Sequence, residues 1–248
     1  MDTNNKHCLN CNNEINGNYC SHCGQSADTF RVGTNNIVEE LQYGLLHINK
    51  GLLYTIKELI LRPGITVRNY ISGKRVKYTK PFLFLIIAGV IYSLVFHFFH
   101  YFPMEEMNSH TTPVFDYIPL YKWYSEHYSL VLLCLIPFYT LFTYWLFRGK
   151  GYNYVEHLVL FSYLTGGKIF LLLLSFPVIY LTRSVHVYQA VQIVSEIYLI
   201  WGLARFFQSA SWLKAVPKVI LSLILALIVM IILIYCVFLV LSSFDVRL

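Results

Sequence analysis

The run Pro81–Tyr101, PFLFLIIAGVIYSLVFHFFHY, holds no Asp, Glu, Lys or Arg over twenty-one residues, about the length an α-helix needs to cross the hydrocarbon core of a bilayer. Four further stretches have the same character, at about 128–147, 155–181, 188–207 and 216–241. Composition agrees, since 56% of the 248 residues are hydrophobic and 13% charged, where a soluble domain carries roughly a quarter charged. The expected fold class is an all-α integral membrane protein with about five transmembrane helices in residues 81–248. The third and fourth stretches each contain a charge and are joined by a short connection at Arg183 and Ser184, which also fits an interfacial hairpin and a three-span count.

Upstream of the apolar body, Cys8, Cys11, Cys20 and Cys23 form two CxxC pairs separated by eight residues. Two intervening residues let both sulfurs of a pair reach one ion, and two such pairs supply the four soft ligands of a tetrahedral zinc site. Gly24 follows the second pair and Asn12 the first, residue types that tolerate a positive φ, and Asn16-Gly17 is a hairpin-turn signal. Residues 1–30 are therefore expected to fold as a small zinc ribbon. Four cysteine ligands leave no open coordination position, so the Zn2+ is expected to be structural. An iron site or a redox dithiol would use the same residues, but a polar segment without a surrounding βαβ unit favours zinc. His7 and His22 read as exposed neighbours, and Cys134 and Cys236, inside apolar runs, as buried packing residues. The polar opening does not look like a signal peptide. No internal repeat is legible.

Lys and Arg are retained on the cytoplasmic side of a membrane. Ten of the nineteen precede the first stretch, Arg148 and Lys150 follow the second, and Arg205, Lys214 and Lys218 separate the fourth and fifth. The opposite side would hold only Lys122, Arg183 and Arg247, beside the acidic Glu105, Glu106, Asp116 and Glu126. The expected orientation is N-terminus in the cytoplasm and C-terminus outside, which agrees with reduced cysteines. Residues 35–80 form the segment between the ribbon and the first span. Ile37, Leu41, Leu45, Ile48, Leu52, Ile56 and Leu59 recur there near the helical period, so an amphipathic helix is expected in the headgroup plane or against the bundle's cytoplasmic face. Pro63-Gly64 ends it, and Ile65 to Ser72 fits a second short helix closed by Gly73. Arg62, Arg68, Lys74, Arg75, Lys77 and Lys80 then place six cations beside the membrane, a topology signal that also fits contact with anionic lipid or an anionic partner. Nucleic acid is not the expected partner, because residues 1–30 offer only Lys6 as a fixed cation against Asp2, Glu14 and Asp28.

Inside the membrane, Lys168 and Glu196 fall near the middle of the third and fourth stretches. An isolated charge there costs at least ~2.5 kcal/mol, so a mutual ion pair is expected. Glu156 and Arg205 fit a second pair, Gly166-Gly167 a close helix approach, and His97 with His100 either a metal pair or interfacial belt residues. No HExxH, GxSxG or glycine-rich phosphate loop occurs, so no enzyme is expected.

The succession CLNC, YCSHCGQ, HINKGLLYTIKELILRPG and YISGKRVKYTKP, leading into a hydrophobic span, resembles an uncharacterised family of bacterial membrane proteins that join an N-terminal zinc ribbon to several transmembrane helices. The likeness covers about residues 8 to 90 and implies an inner-membrane location and a metal-bound head, without an activity. The five-span pattern is also similar, at the level of fold alone, to Yip1-like membrane proteins. The leading expectation is a non-enzymatic membrane protein whose ribbon and amphipathic helix meet a cytosolic protein partner or the lipid surface. The alternative is a transporter or channel in which Lys168 and Glu196 line a polar path. A homo-oligomer is compatible with either.

Overall fold

The computed structural model describes residues 7–29, 31–33, 51–99, 128–207 and 215–243. The first part of the expected amphipathic helix (34–50), His100 and the loop 102–127 lie outside the described residues. Within them the body is helical: α1 (Leu52–Leu61), α2 (Pro63–Ile71), α3 (Pro81–Phe98), α4 (Tyr128–Leu146), α5 (Tyr154–Thr182), α6 (Val185–Phe206) and α7 (Val216–Ser243).

Three of these, α3, α5 and α6, are long and apolar enough to cross a membrane. The third and fourth stretches of the sequence are thus both helices of spanning length and composition. Arg183, in a left-handed conformation, and Ser184 make the whole connection between α5 and α6. Apolar helix also covers Cys134–Leu146 of α4 and Val216–Val229 of α7.

The ring pairs fix the register. Phe84 lies near Phe170, Phe96 near Phe176 and Phe99 near Tyr180, in tilted or edge-on contacts, so α3 and α5 run parallel. Tyr139 meets Phe161 and Tyr144 meets Tyr154, so α4 returns antiparallel to α5, and the Lys168–Glu196 contact makes α6 antiparallel as well. The start of α3 stands opposite Tyr163, about a third of the way along α5. Thr79, two residues before α3, receives the Tyr163 hydroxyl on its carbonyl (2.6 Å) and gives its amide to Thr55 Oγ1 of α1 (2.9 Å). Thr55 and Tyr163 are fully buried, so both main-chain groups of Thr79 are satisfied inside the protein. As a result the nine residues Tyr154–Ser162, roughly 13 Å of helix, project past the start of α3. Around this projection, at what is called here the ribbon end, α1 and α2 pack.

Close packing at glycine holds these helices together, as expected where lipid is as apolar as leucine and burial gives little drive for helices to associate. Phe84 lies against Gly166, Tyr198 against Gly167, and Leu164 with Pro63 against Gly202. Tyr198 also donates its hydroxyl to the Leu59 carbonyl of α1 (3.2 Å). Arg62, pushed out of helical geometry by the following proline, ends α1, and Pro63 opens α2 at a position where its missing N–H costs nothing. Gly64 then meets the backbone of α6: a Cβ there would stand 2.6 Å from Phe206 N and 2.7 Å from Arg205 C.

Gly64→Val is therefore expected to lower the thermal unfolding midpoint in detergent by several degrees, overpacking costing about 1–3 kcal/mol. Gly149→Ala, where nothing lies within 4 Å, serves as the control and should leave the midpoint unchanged. Equal midpoints for the two variants would contradict the α2–α6 crossing.

Candidate metal centre and its docking surface

The two CxxC loops have the same backbone at an offset of twelve residues. The Asn12 amide bonds to the Cys8 carbonyl (2.8 Å) and the Gly24 amide to the Cys20 carbonyl (2.9 Å), while the amides of Cys8 and Cys20 reach Asn13 O and Gln25 O, both at 2.8 Å. Bridges His7–Glu14 and Tyr19–Ser26 close the two loops. Asn12 and Gly24 have φ of 62° and 77°, the left-handed geometry that Asn and Gly accept most easily. This is an internal repeat that the side chains hide, since the paired cysteines alone are common to both copies.

Folding one loop on the other gathers the sulfurs. Cys8 Sγ is 3.5 Å from Cys23 Sγ, Cys11 Sγ is 3.6 Å from Cys20 Sγ, and all four lie within 4.8 Å of one another. A disulfide would need about 2.05 Å. A tetrahedral thiolate site with metal–sulfur bonds of about 2.3 Å has sulfur–sulfur edges of about 3.8 Å, so the cluster is compatible with one metal ion. The backbone amide of Cys23 and, against burial, that of His22 hold the Cys20 thiol below its ordinary range. Although the Asn13 amide favours ionisation of Cys11, burial and the neighbouring sulfurs push it up to about 12. Four thiolates could share this space only with a cation between them to balance their charge.

The cluster is mounted on the rest of the chain at two places. Leu9, inside the first CxxC, packs on Gly73, whose φ is 102° and whose absent Cβ would stand 2.7 Å from Leu9 Cδ1. Gln25 Oε1 accepts the Arg75 amide (3.3 Å). Farther on, Arg31 binds both carboxylate oxygens of Glu156 (2.7 and 2.8 Å) and the Gly151 carbonyl (2.5 Å). Glu156, 2% exposed, is also the third residue of a capping box: its carboxylate accepts the Asn153 amide while Asn153 Oδ1 accepts the Glu156 amide, both at 2.8 Å. Asn153 Nδ2 completes the joint by donating to Val32 O (3.0 Å), and Val32 is buried in the core. The Glu156 carboxylate, which the sequence sets toward Arg205, is held by Arg31.

The six juxtamembrane cations do not form one face. Arg68 NH1 caps the end of α6 by donating to the carbonyls of Arg205 and Phe206, groups a helix terminus leaves without partners. Arg75 bonds the Tyr70 carbonyl (3.3 Å) and lies 5.3 Å from the Tyr70 ring centre. Arg62 pairs with Glu58 at 3.1 Å, Lys77 stands over the Tyr54 ring, Lys74 is exposed and Lys80 half-buried. Arg68 and Arg75 are thus engaged by the fold itself. Lys168 donates to Glu196, with Lys168 largely enclosed (16% exposed) and Glu196 half-exposed (52%). His97 is exposed, and Cys134, expected to be buried, is exposed on α4.

With an all-helical body, three helices fit to cross a membrane and a four-cysteine cluster on one end, the chain has the form of a membrane protein whose head is compatible with a metal site. Residues 49–93, which comprise α1, α2 and most of α3, match the model of a family described as Protein of unknown function (DUF3667). No curated protein and no solved structure matches the chain. The matched segment contains Gly64 and Gly73, the two glycines that touch α6 and the ribbon. Sequence reasoning missed Arg31 and its clamp on Glu156. The spacing Asn153-x-x-Glu156 is a readable capping signal, but nothing in the sequence pairs it with a residue 125 positions away.

For the intramembrane pair, Glu196→Gln strands the more enclosed partner and is expected to lower the unfolding midpoint more than Lys168→Met does. The double variant should recover part of the loss; strictly additive losses would mean the two residues are not coupled.

Proposed function

We propose that the chain is a non-enzymatic integral membrane protein of five spans, α3 to α7, with a structural zinc ribbon held at the cytoplasmic side of a bacterial inner membrane. The observation that carries this reading is the gathering of Cys8, Cys11, Cys20 and Cys23 on the end of the bundle where the cations concentrate. Four thiolates close the coordination sphere, so the ion supplies folding energy to the head and no catalysis. The positive-inside pattern puts that end in the cytoplasm and, with an odd number of spans, the C-terminus outside.

Two surfaces then remain for contacts. On the ribbon, Tyr19 is 68% exposed among polar neighbours and suits a cytosolic protein partner. On α1, Leu53 (78% exposed), Tyr54, Lys57 and Leu61 (55% exposed) share one face, with Lys77 over Tyr54 and Ile65 and Arg62 beyond. Leu59, on the opposite side of α1, is bonded to Tyr198, which lies against Gly167 next to Lys168. The level of α1 with the first turn of α3 supports a position for α1 at the proposed edge of the hydrocarbon. Exposed leucines with snorkelling lysines at this depth fit the boundary between headgroups and acyl chains of an anionic leaflet.

Purified protein is expected to carry one zinc per chain, lost in Cys20→Ser/Cys23→Ser. Crosslinking in native membranes followed by affinity purification and mass spectrometry should then recover a partner from the intact protein, absent from the double variant at equal abundance and from Tyr19→Ala with its zinc retained. An unchanged partner set in both variants would rule out recruitment through the ribbon and direct attention to Lys168 and Glu196 as a transport path.

A further inference from the structure

We infer that the ribbon is a metal-dependent latch on the turn that leads into the first span, so that metal occupancy sets whether Gly73 and the Arg75 amide are held against the ribbon. The inference rests on the metal reading of the cysteine cluster and goes beyond it in assigning the ribbon an occupant for one of its faces, the protein's own chain.

The ribbon has no apolar core. Among its described residues, 7–29, the buried side chains are Cys8, Cys20 and Gln25. A segment of this size without apolar burial has nothing to offset the entropy of ordering its loops, and the metal–sulfur bonds must supply it. The groups that dock are those whose positions the knuckles define. Leu9 lies between Cys8 and Cys11, and Gln25 follows the second knuckle, its carbonyl bonded to the Cys20 amide. When the knuckles lose their shape, the Leu9–Gly73 packing and the bond from the Arg75 amide to Gln25 are lost together.

The second attachment is built differently. Arg31, Val32, Asn153 and Glu156 hold one another through a bidentate ion pair, a capping box and a hydrogen bond from the Asn153 side-chain amide to the Val32 carbonyl, and none of these atoms belongs to the knuckles. Loss of metal therefore opens the latch while the chain stays tied to the start of α5. The turn under the ribbon is suited to such control: Gly73 can accept the close contact because it lacks a Cβ, and Lys74, Arg75 and Lys77 follow it directly before Thr79 and α3.

The test is hydrogen–deuterium exchange of the full chain in lipid nanodiscs, with zinc content measured in parallel, for the zinc-loaded protein, the chelated protein and Leu9→Asp, which keeps all four cysteines. Chelation is expected to raise amide exchange tenfold or more across residues 8–29 and 73–78 while leaving 153–160 unchanged. Leu9→Asp is expected to retain its zinc and raise exchange at 73–78 alone. A zinc-loaded chain whose turn ignores both chelation and Leu9→Asp overturns the latch and leaves the metal reading intact. A chain that binds no zinc overturns the metal reading, and the latch with it.

Discussion

The length of α5 is the constraint on which the rest of the structure depends. Its 29 residues make a helix of about 44 Å, against a hydrocarbon core of about 30 Å. With α3 starting opposite Tyr163, the excess is collected at the ribbon end, as the turns from Tyr154 to Ser162. Those turns are the post on which a second layer is hung. Their start is fixed by the Asn153–Glu156 capping box, their charge is taken by Arg31, and α1 and α2 fill the angle between them and α6. Shortening α5 to a bare span would leave the ribbon and the two short helices without a common support.

The same geometry accounts for residues whose value is not evident in isolation. Pro63-Gly64 stops one helix, starts the next and lets α2 touch the backbone of α6, three tasks for two adjacent residues. Gly73 closes α2 with a left-handed turn and receives Leu9 of the ribbon. Both glycines fall in the segment 49–93 that matches the uncharacterised family model, so that segment is best understood as the coupling between head and bundle rather than as a site of its own.

The helical body and its apolar stretches were legible in the sequence because length and hydrophobicity are local properties. So were the two CxxC pairs, whose spacing is itself the signal. Lys168 and Glu196 lie near the middle of α5 and α6, as the lengths of their apolar stretches imply, and they meet there. The six cations looked alike in the sequence, yet Arg68 serves the carbonyls ending α6 and Arg75 the Tyr70 carbonyl, uses set by tertiary contacts that no local pattern records. For the same reason the reach of Arg31 to Glu156, from the linker behind the ribbon, has no signal in the sequence.

The central claim is that α1 lies at the membrane boundary while the start of α5 stands in water. It is tested most directly by electron paramagnetic resonance on protein in anionic liposomes, with single spin labels introduced through an unnatural amino acid so that the native cysteines remain. Labels at Val90 of α3, at Leu61 of α1 and at Lys150 before α5 would be compared for collision with oxygen, which favours the bilayer, and with a water-soluble nickel chelate. The account predicts oxygen dominance at Val90, nickel dominance at Lys150 and a boundary value at Leu61. A Leu61 label as open to nickel as Lys150 would contradict it, placing α1 in the aqueous phase and removing the lipid surface from the function proposed for this helix.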